Sequence, residues 1–257
     1  MSEIFRIEGL RKSFGGLEVI RGVDLSVSTG QRLALIGPNG AGKTTVFNLI
    51  NGYYRPDEGR ILLDGQDLVP MAPRLRIRHG LARSFQNIRL IPHLTVEENV
   101  LLGAHIHAGG ALMQALPLFL GRGRALREQA RGLLDEAGLA AHRGALAGSL
   151  AYGLRKRVEV VRALMARPRL LLLDEPCAGL NTQERGVLLE ELQRIAAGGV
   201  TMLVVEHDMH FVGGLCDRAL VLNFGQKIAE GSPAEIARDP AVIEAYLGHE
   251  PERYAHA

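Results

Sequence analysis

A glycine-rich segment with one lysine and two threonines is the part of this chain best suited to chemistry. It lies between an apolar run at 32–36, typical of a buried strand, and a helical pattern at 46–50. Glycines let backbone N–H groups surround a polyphosphate, and a helix N-terminus adds partial positive charge facing the same anion. The pattern G-x-x-x-x-G-K-[ST] in this order predicts a nucleotide phosphate site. Its residues are Gly37, Pro38, Asn39, Gly40, Ala41, Gly42, Lys43, Thr44 and Thr45.

Two side chains of this segment and two carboxylates elsewhere complete the predicted chemistry. Lys43 is placed to reach the β- and γ-phosphates, and Thr44 is placed to ligate Mg²⁺. Asp174 and Glu175 follow four leucines, which predict a buried parallel strand ending where such sheets bind ligands. We expect Asp174 to hold Mg²⁺, directly or through water, and Glu175 to orient and deprotonate the attacking water.

Two further polar residues follow apparent strands, although neither residue type is informative alone. Gln86 follows the strand predicted at 81–85 and can contact Mg²⁺ or the attacking water. His207 follows the strand predicted at 201–206, where it can donate a hydrogen bond to a γ-phosphate. A histidine at a strand end is also typical of a structural role, so both interpretations of His207 stay open.

The start of another helical pattern offers a second place for an anion. Residues 150–157 contain Gly153 and three consecutive basic residues, and an apolar helical pattern follows them. Backbone N–H groups at a helix N-terminus favour anions, so the segment predicts an anion site. The alternative is a helix start with a solvated basic face.

Composition limits the kind of protein that these motifs serve. The 257 residues carry 30 basic and 28 acidic side chains, a balance that argues against a nucleic-acid partner. Two cysteines provide no disulfide framework and suggest a reducing compartment. No apolar run approaches the roughly 20 residues of a membrane span, and the N-terminus lacks a signal-peptide pattern. We therefore expect a soluble cytoplasmic chain whose membrane role comes through a partner.

Periodicity along the chain predicts an α/β core interrupted by helices. Alternating apolar and polar residues in the first third, at 5–7 and 23–27, are typical of half-buried antiparallel strands. The last third alternates strands and helices, which around a phosphate loop implies parallel strands. Between them, residues 95–98 fit a capping box that opens a helix.

These patterns predict one domain over residues 1–257. Residues 1–86 and 167–257 form the nucleotide-binding core with its β subdomain, and residues 87–166 form an inserted helical lobe. Within the lobe, Gly103–Gly123 mixes glycines, a proline and apolar residues, which favours a poorly defined hairpin or loop. This segment can be a local packing insertion or a contact with a partner.

In this order the motifs resemble those of the ATP-binding subunits of ABC transporters, over nearly the whole chain. The resemblance implies an α/β P-loop NTPase fold with an antiparallel β subdomain and an inserted helical lobe. The matching segments are Gly37–Thr45 (phosphate loop), Gln86 (Q-loop), Leu150–Leu154 (signature), Asp174 with Glu175 (second nucleotide motif), Ala178–Asn181 (D-loop) and His207 (switch histidine).

The resemblance also implies how such a subunit works with ATP and Mg²⁺. Two ATPase subunits, identical or related, sandwich two ATP molecules, and the signature of one completes the site of the other. Closure and opening drive transmembrane permease subunits at the cytoplasmic face of the inner membrane, served indirectly by a periplasmic binding protein. The residues implied in nucleotide contact include Leu150, Ala151, Tyr152, Gly153 and Asn181, and Phe14 through stacking on adenine, although Phe14 fits a core position at a strand edge equally well.

The signature departs from the usual Leu-Ser-Gly-Gly-Gln. Ala151 stands in place of the serine, Tyr152 in place of the first glycine, and Leu154 in place of the glutamine. The serine hydroxyl donates to the γ-phosphate, and losing a hydrogen bond to a charged group costs about 1.5–3 kcal/mol. We therefore expect a looser γ-phosphate contact, and the sequence offers no physical account of Leu154.

Local runs carry a finer resemblance to the ATPases of branched-chain amino-acid importers. Importers of urea and short amides are similar, and so is the lipopolysaccharide-export ATPase. Two other classes fit less well: a soluble ABC ATPase acting on DNA or ribosomes needs coiled coils or tandem cassettes, and a kinase needs an acceptor pocket. The runs lie at residues 15–17, 44–48, 83–90, 150–153, 178–181, 206–209 and 242–248.

Overall fold

Two β-sheets organise the computed structural model, which describes residues 2–84, 88–104 and 122–247. The strands are β1 (Glu3–Phe14), β2 (Leu17–Ser28), β3 (Arg32–Ile36), β4 (Glu58–Leu63), β5 (Gln66–Asp67), β6 (Leu81–Arg83), β7 (Leu170–Asp174), β8 (Thr201–Val205), β9 (Arg218–Asn223) and β10 (Gln226–Gly231). The helices are α1 (Lys43–Asn51), α2 (Pro73–Arg76), α3 (Val96–Leu102), α4 (Arg122–Glu136), α5 (Tyr152–Leu164), α6 (Thr182–Ala197), α7 (Met209–Leu215), α8 (Pro233–Ile236) and α9 (Pro240–Leu247).

The smaller sheet is antiparallel and has the strand order β2-β1-β4-β5. Apolar residues along β1, such as Phe5, Ile7 and Leu10, are buried and belong to the main hydrophobic core, while residues between them are more exposed. Phe5 pairs with Val27 of β2, so the two sequence patterns meet across the strands. The predicted antiparallel β subdomain is confirmed.

The larger sheet has the order β10-β9-β3-β8-β7-β6, with β9, β3, β8, β7 and β6 parallel to their neighbours. All residues of β7 and β8 are buried, as the run of leucines predicted for β7. Only β10 runs antiparallel to its neighbour. Since β3, β8 and β7 are adjacent and parallel, the segments that follow them emerge at one edge of the sheet.

A separate hydrophobic cluster holds the helices between β6 and β7 together. It joins Val96 and Val100 of α3, Leu134 of α4, and Val158 and Val161 of α5. Thr95 caps α3, and both hydrogen bonds of the predicted capping box are present. The helical lobe therefore has its own core, although its predicted bounds at 87 and 166 stay a prediction.

Some predicted features fall outside the described residues. Most of Gly103–Gly123 does so, as does Gln86. Both cysteines, Cys177 and Cys216, are buried free thiols, and burial raises the pKa of the Cys216 thiol to about 12. Within the described ranges, none of the helices has the length and apolar character that crossing a membrane requires.

Candidate nucleotide-binding site

The predicted phosphate loop joins β3 to α1, and packing requires glycine at two of its positions. Gly37 has φ +148°, and a Cβ there would lie 2.1 Å from the carbonyl oxygen of Leu222. Gly42 has φ +105°, and its Cβ would lie 2.7 Å from a methyl group of Ile20. Any larger residue would push the loop away from β9 and β2, so these glycines set its path.

Lys43 lies under the loop and binds the loop's own carbonyl groups. Its Nζ donates to the oxygens of Gly37 at 2.6 Å and of Pro38 at 2.9 Å. Burial lowers the pKa of Lys43, and the nearby charge of Glu175 partly opposes that shift. The ammonium is therefore held ready beneath the loop, where a phosphate can compete for it.

The first turn of α1 keeps its backbone donors free of side-chain caps. The N-cap residue is Gly42, so no side chain at this position accepts a hydrogen bond from the N–H groups of the first turn. No acidic residue occupies that turn either. Asn39, Gly40 and Thr44 are exposed beside it. Because uncapped N–H groups and the helix dipole favour anions, this end of α1 suits a phosphate.

Asp174 ends β7 as predicted, but it is paired with a cation that sequence analysis did not single out. The Arg83 guanidinium of β6 donates to the Asp174 carboxylate, and the two side chains are only 9% and 6% exposed. Arg83 also donates to the Asn48 side chain of α1 at 3.2 Å and lies 5.7 Å from the Phe47 ring centroid. Arg83 thus links β6, β7 and the helix behind the phosphate loop.

Glu175 occupies a backbone conformation that is uncommon for a residue with a side chain. Its φ is +45°, in the left-handed region, while its N–H donates to the Val205 oxygen at 2.9 Å. Such strain persists where surrounding structure over-determines it, and it clusters at functional sites. Here it turns the chain sharply from β7 towards the D-loop, directly after the buried Asp174.

His207 follows β8, one residue after a fully buried carboxylate. The Glu206 carboxylate accepts hydrogen bonds from the N–H groups of Cys177 at 2.8 Å and His207 at 2.9 Å, and so joins the ends of β7 and β8. The His207 imidazole is largely exposed, with Nδ1 3.6 Å from Glu206 Oε2. Its backbone is therefore fixed while its ring faces solvent.

The predicted metal ligands are hard oxygen donors, which is the chemistry that Mg²⁺ requires. Thr44 offers a hydroxyl in the exposed first turn of α1, and Asp174 offers a carboxylate already engaged by Arg83. The described residues contain no cluster of three or more metal-ligating His, Cys, Asp or Glu side chains. Thr44 and Asp174 therefore offer the type of oxygen ligand that Mg²⁺ takes.

The signature segment begins α5 and rests on the D-loop of the same chain. The Tyr152 ring covers Gly179, where an added Cβ would come within 2.9 Å of the ring. A Cβ on Gly153 would lie 2.5 Å from a carboxylate oxygen of Glu184 in α6. Asn181 is the N-cap of α6 and forms a complete capping box with Glu184, so its side-chain oxygen serves its own helix.

Of the departures in the signature, the structure explains Leu154, whereas the looser γ-phosphate contact expected for Ala151 stays a prediction. Leu154 is half-buried and packs against the hydrophobic cluster of the helical lobe, so an apolar side chain suits this position. Ala151 is the N-cap of α5 and makes no side-chain cap. Leu150 is buried, whereas Tyr152 is 38% exposed.

A buried glutamate on α5 is a second feature that sequence analysis missed. Glu159 Oε1 accepts from the backbone N–H of Arg89 at 2.9 Å and from the Arg162 guanidinium at 3.0 Å. Arg162 donates in turn to the Arg89 oxygen at 2.7 Å. Arg89 lies three residues after Gln86. This cluster therefore connects α5, the signature helix, to the segment that follows the predicted Q-loop.

Phe14 lies at the end of β1 and is not a core residue. Its ring is 39% exposed, makes an edge contact with Tyr54 at 5.0 Å between ring centroids, and has the Lys12 ammonium 5.3 Å from its centroid. The core alternative for Phe14 is therefore wrong. An exposed aromatic ring at this position suits stacking against a flat ligand.

Strand order decides which predicted residues come together. The phosphate loop follows β3, His207 follows β8, and Asp174 with Glu175 ends β7, so all lie at one edge of adjacent strands. In contrast, the signature contacts the D-loop and α6. The basic residues behind the signature, among them the buried Lys156 whose pKa burial lowers, belong to α5.

Comparison with protein-family models identifies two matching regions. Residues 20–178 match the model described as "ABC transporter". Residues 226–252 match the model described as "Branched-chain amino acid ATP-binding cassette transporter". The first match covers more than half of the chain and spans the phosphate loop, the signature, Asp174 and Glu175.

Individual proteins are similar over almost their full length. The chain is 41% identical to the high-affinity branched-chain amino acid transport ATP-binding protein BraF of Pseudomonas aeruginosa, covering 95% of this chain and 98% of BraF. It is 40% identical to LivG of Escherichia coli K12, a protein with the same description, at the same coverage. The crystal structure of the ADP conformation of MJ1267, an ATP-binding cassette of an ABC transporter, superposes with TM-score 0.85 at 32% identity, covering 96% of this chain and all of that one.

Proposed function

The chain belongs to the ABC transporter family of ATP-binding subunits, and we propose that its ATP hydrolysis powers uptake of branched-chain amino acids across the inner membrane. Membership makes it an ATPase that drives transport. The observation that carries the cargo assignment is the match of residues 226–252 to the branched-chain amino acid model, together with the similarity to BraF and LivG. The amino acid itself would be recognised by other subunits.

The proposed chemistry follows from the groups at the sheet edge. Lys43, freed from the carbonyls of its own loop, neutralises the β- and γ-phosphates, and the N–H groups opening α1 hold their oxygens. Glu175, turned out of β7 by its left-handed backbone, orients and deprotonates the attacking water. His207, with its backbone held by Glu206, reaches the γ-phosphate. Gln86, outside the described residues, would sense the same atoms.

Mg²⁺ would be held by the Thr44 hydroxyl and the Asp174 carboxylate, with Gln86 as a further ligand. When bound, the ion neutralises charge that develops on the phosphate oxygens. The Arg83 guanidinium donates a hydrogen bond to the Asp174 carboxylate and so orients it at the end of β7. Because Arg83 also donates to Asn48 of α1, it fixes the position of the Asp174 carboxylate relative to the phosphate loop.

Adenine would stack on Phe14, with Tyr54 beside it. The signature residues Leu150, Ala151, Tyr152 and Gly153, with Asn181, would complete the site of a second ATPase subunit. Their position supports this, because Tyr152 is exposed and the start of α5 lacks a side-chain cap. The second subunit is a copy of this chain or a related ATPase.

Transport requires membrane partners, since ABC ATPases act with transmembrane permease subunits. By its similarity to BraF and LivG, we place the chain at the cytoplasmic face of the inner membrane, bound to those subunits. A periplasmic binding protein would deliver the cargo. The Glu159 cluster, which joins the signature helix to the return from the Q-loop, offers a path for coupling.

Uptake by source cells carrying Lys43→Ala tests the proposal. Labelled leucine and labelled urea are measured in parallel, with Lys227→Ala of strand β10 as the matched control. We expect leucine uptake to be lost in Lys43→Ala alone. Loss of urea uptake instead would change the cargo, and unchanged uptake of both would contradict the importer assignment.

A further inference from the structure

The phosphate loop is held from outside by the C-terminal part of the chain. A Cβ on Gly37, the first residue of the loop, would lie 2.1 Å from the backbone oxygen of Leu222 in β9. In the turn after β9, the N–H of Gly225 donates to the Ala41 oxygen at 3.0 Å. The start and the middle of the loop therefore both contact the segment that leads through β10 to α9.

Helix α9 packs behind the strand from which the loop begins. It lies within residues 226–252, the second region that matches a family model, yet the chemistry proposed above uses none of its side chains. Tyr246 of α9 is half-buried and packs against a hydrophobic cluster that includes Ile36, the last residue of β3. The Tyr246 ring therefore belongs to the core that supports the phosphate loop.

The phenol oxygen of Tyr246 is a buried polar atom without a hydrogen bond. In the part of the chain that the structure describes, Oη has no hydrogen-bond partner. Burial raises the pKa of Tyr246, and the backbone N–H of Gly37 opposes that shift, so this N–H faces the phenol oxygen. Buried polar atoms are nearly always paired, and an exception calls for an explanation. Here a donor lies beside the oxygen and is not bonded to it.

Gly37 lies between this phenol and the lysine of the loop. Its carbonyl oxygen accepts from Lys43 Nζ at 2.6 Å, whereas its N–H faces Tyr246. A phosphate that binds Lys43 draws the ammonium away from this carbonyl, and Gly37 then loses one of its contacts. Because Gly37 has φ +148° and carries no Cβ, its backbone can turn at little steric cost.

We propose that Tyr246 is a positioning residue for the phosphate loop: its phenol oxygen accepts a hydrogen bond from the Gly37 N–H when phosphate draws Lys43 from the loop carbonyls. This inference rests on the proposed nucleotide site at Gly37–Thr45. The hydrogen bond fixes the start of the loop in its nucleotide-bound form and so stabilises bound ATP. It also pairs the buried phenol oxygen, which gives a tyrosine a role at a mainly apolar position.

Tyr246→Phe tests the proposal, because it removes Oη and keeps the ring in the core. Calorimetry on the full chain with a non-hydrolysable ATP analogue should give about threefold to tenfold weaker binding, the effect of one hydrogen bond. In turnover the KM for ATP should rise with kcat unchanged, as for a contact that stabilises ground state and transition state equally. Tyr53→Phe makes the same change at an exposed position and should bind as wild type.

NMR of the Gly37 amide separates positioning from packing. In the wild-type chain the analogue should move the Gly37 amide proton downfield, as a new hydrogen bond does, and Tyr246→Phe should lose that shift. If Tyr246 contributes to packing alone, Tyr246→Phe lowers thermal stability and leaves both the analogue affinity and the Gly37 shift at their wild-type values. That result would overturn the proposal.

Lys43→Ala distinguishes a failure of this inference from a failure of the nucleotide site. If Lys43→Ala binds the analogue as tightly as wild type, the proposed phosphate site is wrong, and the role of Tyr246 is wrong with it. If Lys43→Ala loses binding while Tyr246→Phe keeps wild-type affinity, the phosphate site stands and only the role of Tyr246 is excluded.

Discussion

The edge of the large sheet and the signature segment place their functional groups by different means. At the sheet edge, Lys43 and Asp174 are buried and already bound to charged or polar partners. At the signature, Tyr152 and Gly153 are positioned by steric contact with Gly179 and Glu184. The first region is organised by charge and the second by shape.

This difference predicts different sensitivities. A substitution that removes a charge at the sheet edge should act strongly, because a buried partner is left unpaired or a reacting group is lost. A substitution in the signature should act through the volume it adds or removes, by smaller amounts. The following experiments are ordered from the largest expected effect to the smallest.

Replacing Glu175 with glutamine should have the largest effect, and it should change the rate of ATP hydrolysis without changing ATP binding. We expect ATP turnover to fall by about 10²–10⁴-fold, the usual contribution of a general base, with ATP affinity retained. Phosphate release and equilibrium nucleotide binding measure the two quantities separately. Glu190→Gln, an exposed position of α6, is the control. Wild-type turnover in Glu175→Gln would exclude Glu175 as the base.

Replacing Arg83 with methionine tests whether charge organises the sheet edge. Breaking a buried ion pair typically lowers the free energy of unfolding by about 3–5 kcal/mol, because one charge stays buried alone. Urea denaturation measures this loss. Arg83→Lys, which keeps the charge, should lose less, and Arg83→Met combined with Asp174→Asn should recover part of the loss. Stability equal to wild type in Arg83→Met would contradict the pairing.

Two glycine-to-alanine substitutions should have opposite signs. Gly153→Ala places a Cβ 2.5 Å from Glu184 and disturbs the cap of α6, so we expect a loss of about 1 kcal/mol. Gly186→Ala, within α6, meets nothing within 4 Å and should stabilise the chain by about 0.5–1 kcal/mol. Thermal unfolding compares them, and two shifts of the same sign would show that shape does not organise the signature.

The smallest effect in the series is expected for Asn181→Asp in the D-loop. Asn181→Ala removes the N-cap of α6 and should cost about 0.5–2 kcal/mol. Asn181→Asp keeps an equally good cap and should change stability by only a few tenths. Denaturation of the three proteins measures both differences. If Asn181→Ala is as stable as Asn181→Asp, the capping box contributes little.

Much of the fold could be predicted from local patterns. Four leucines predicted β7, and the Thr95 capping box predicted the start of α3, because both depend on neighbouring residues. Arg83 could have been suspected from a basic residue in an otherwise buried strand, yet its partner lies 91 residues away. Leu154 made sense only once the lobe's hydrophobic cluster was known.

The amino-acid sequence alone determined the phosphate loop and the carboxylates at the end of β7, because a loop's glycines and a strand's final residues specify their own local geometry. Tertiary structure decided the rest. The pairing of Arg83 with Asp174 and the contact of Tyr152 with Gly179 join residues that are distant in the chain. Strand order and side-chain packing bring these groups together, and no local pattern encodes either.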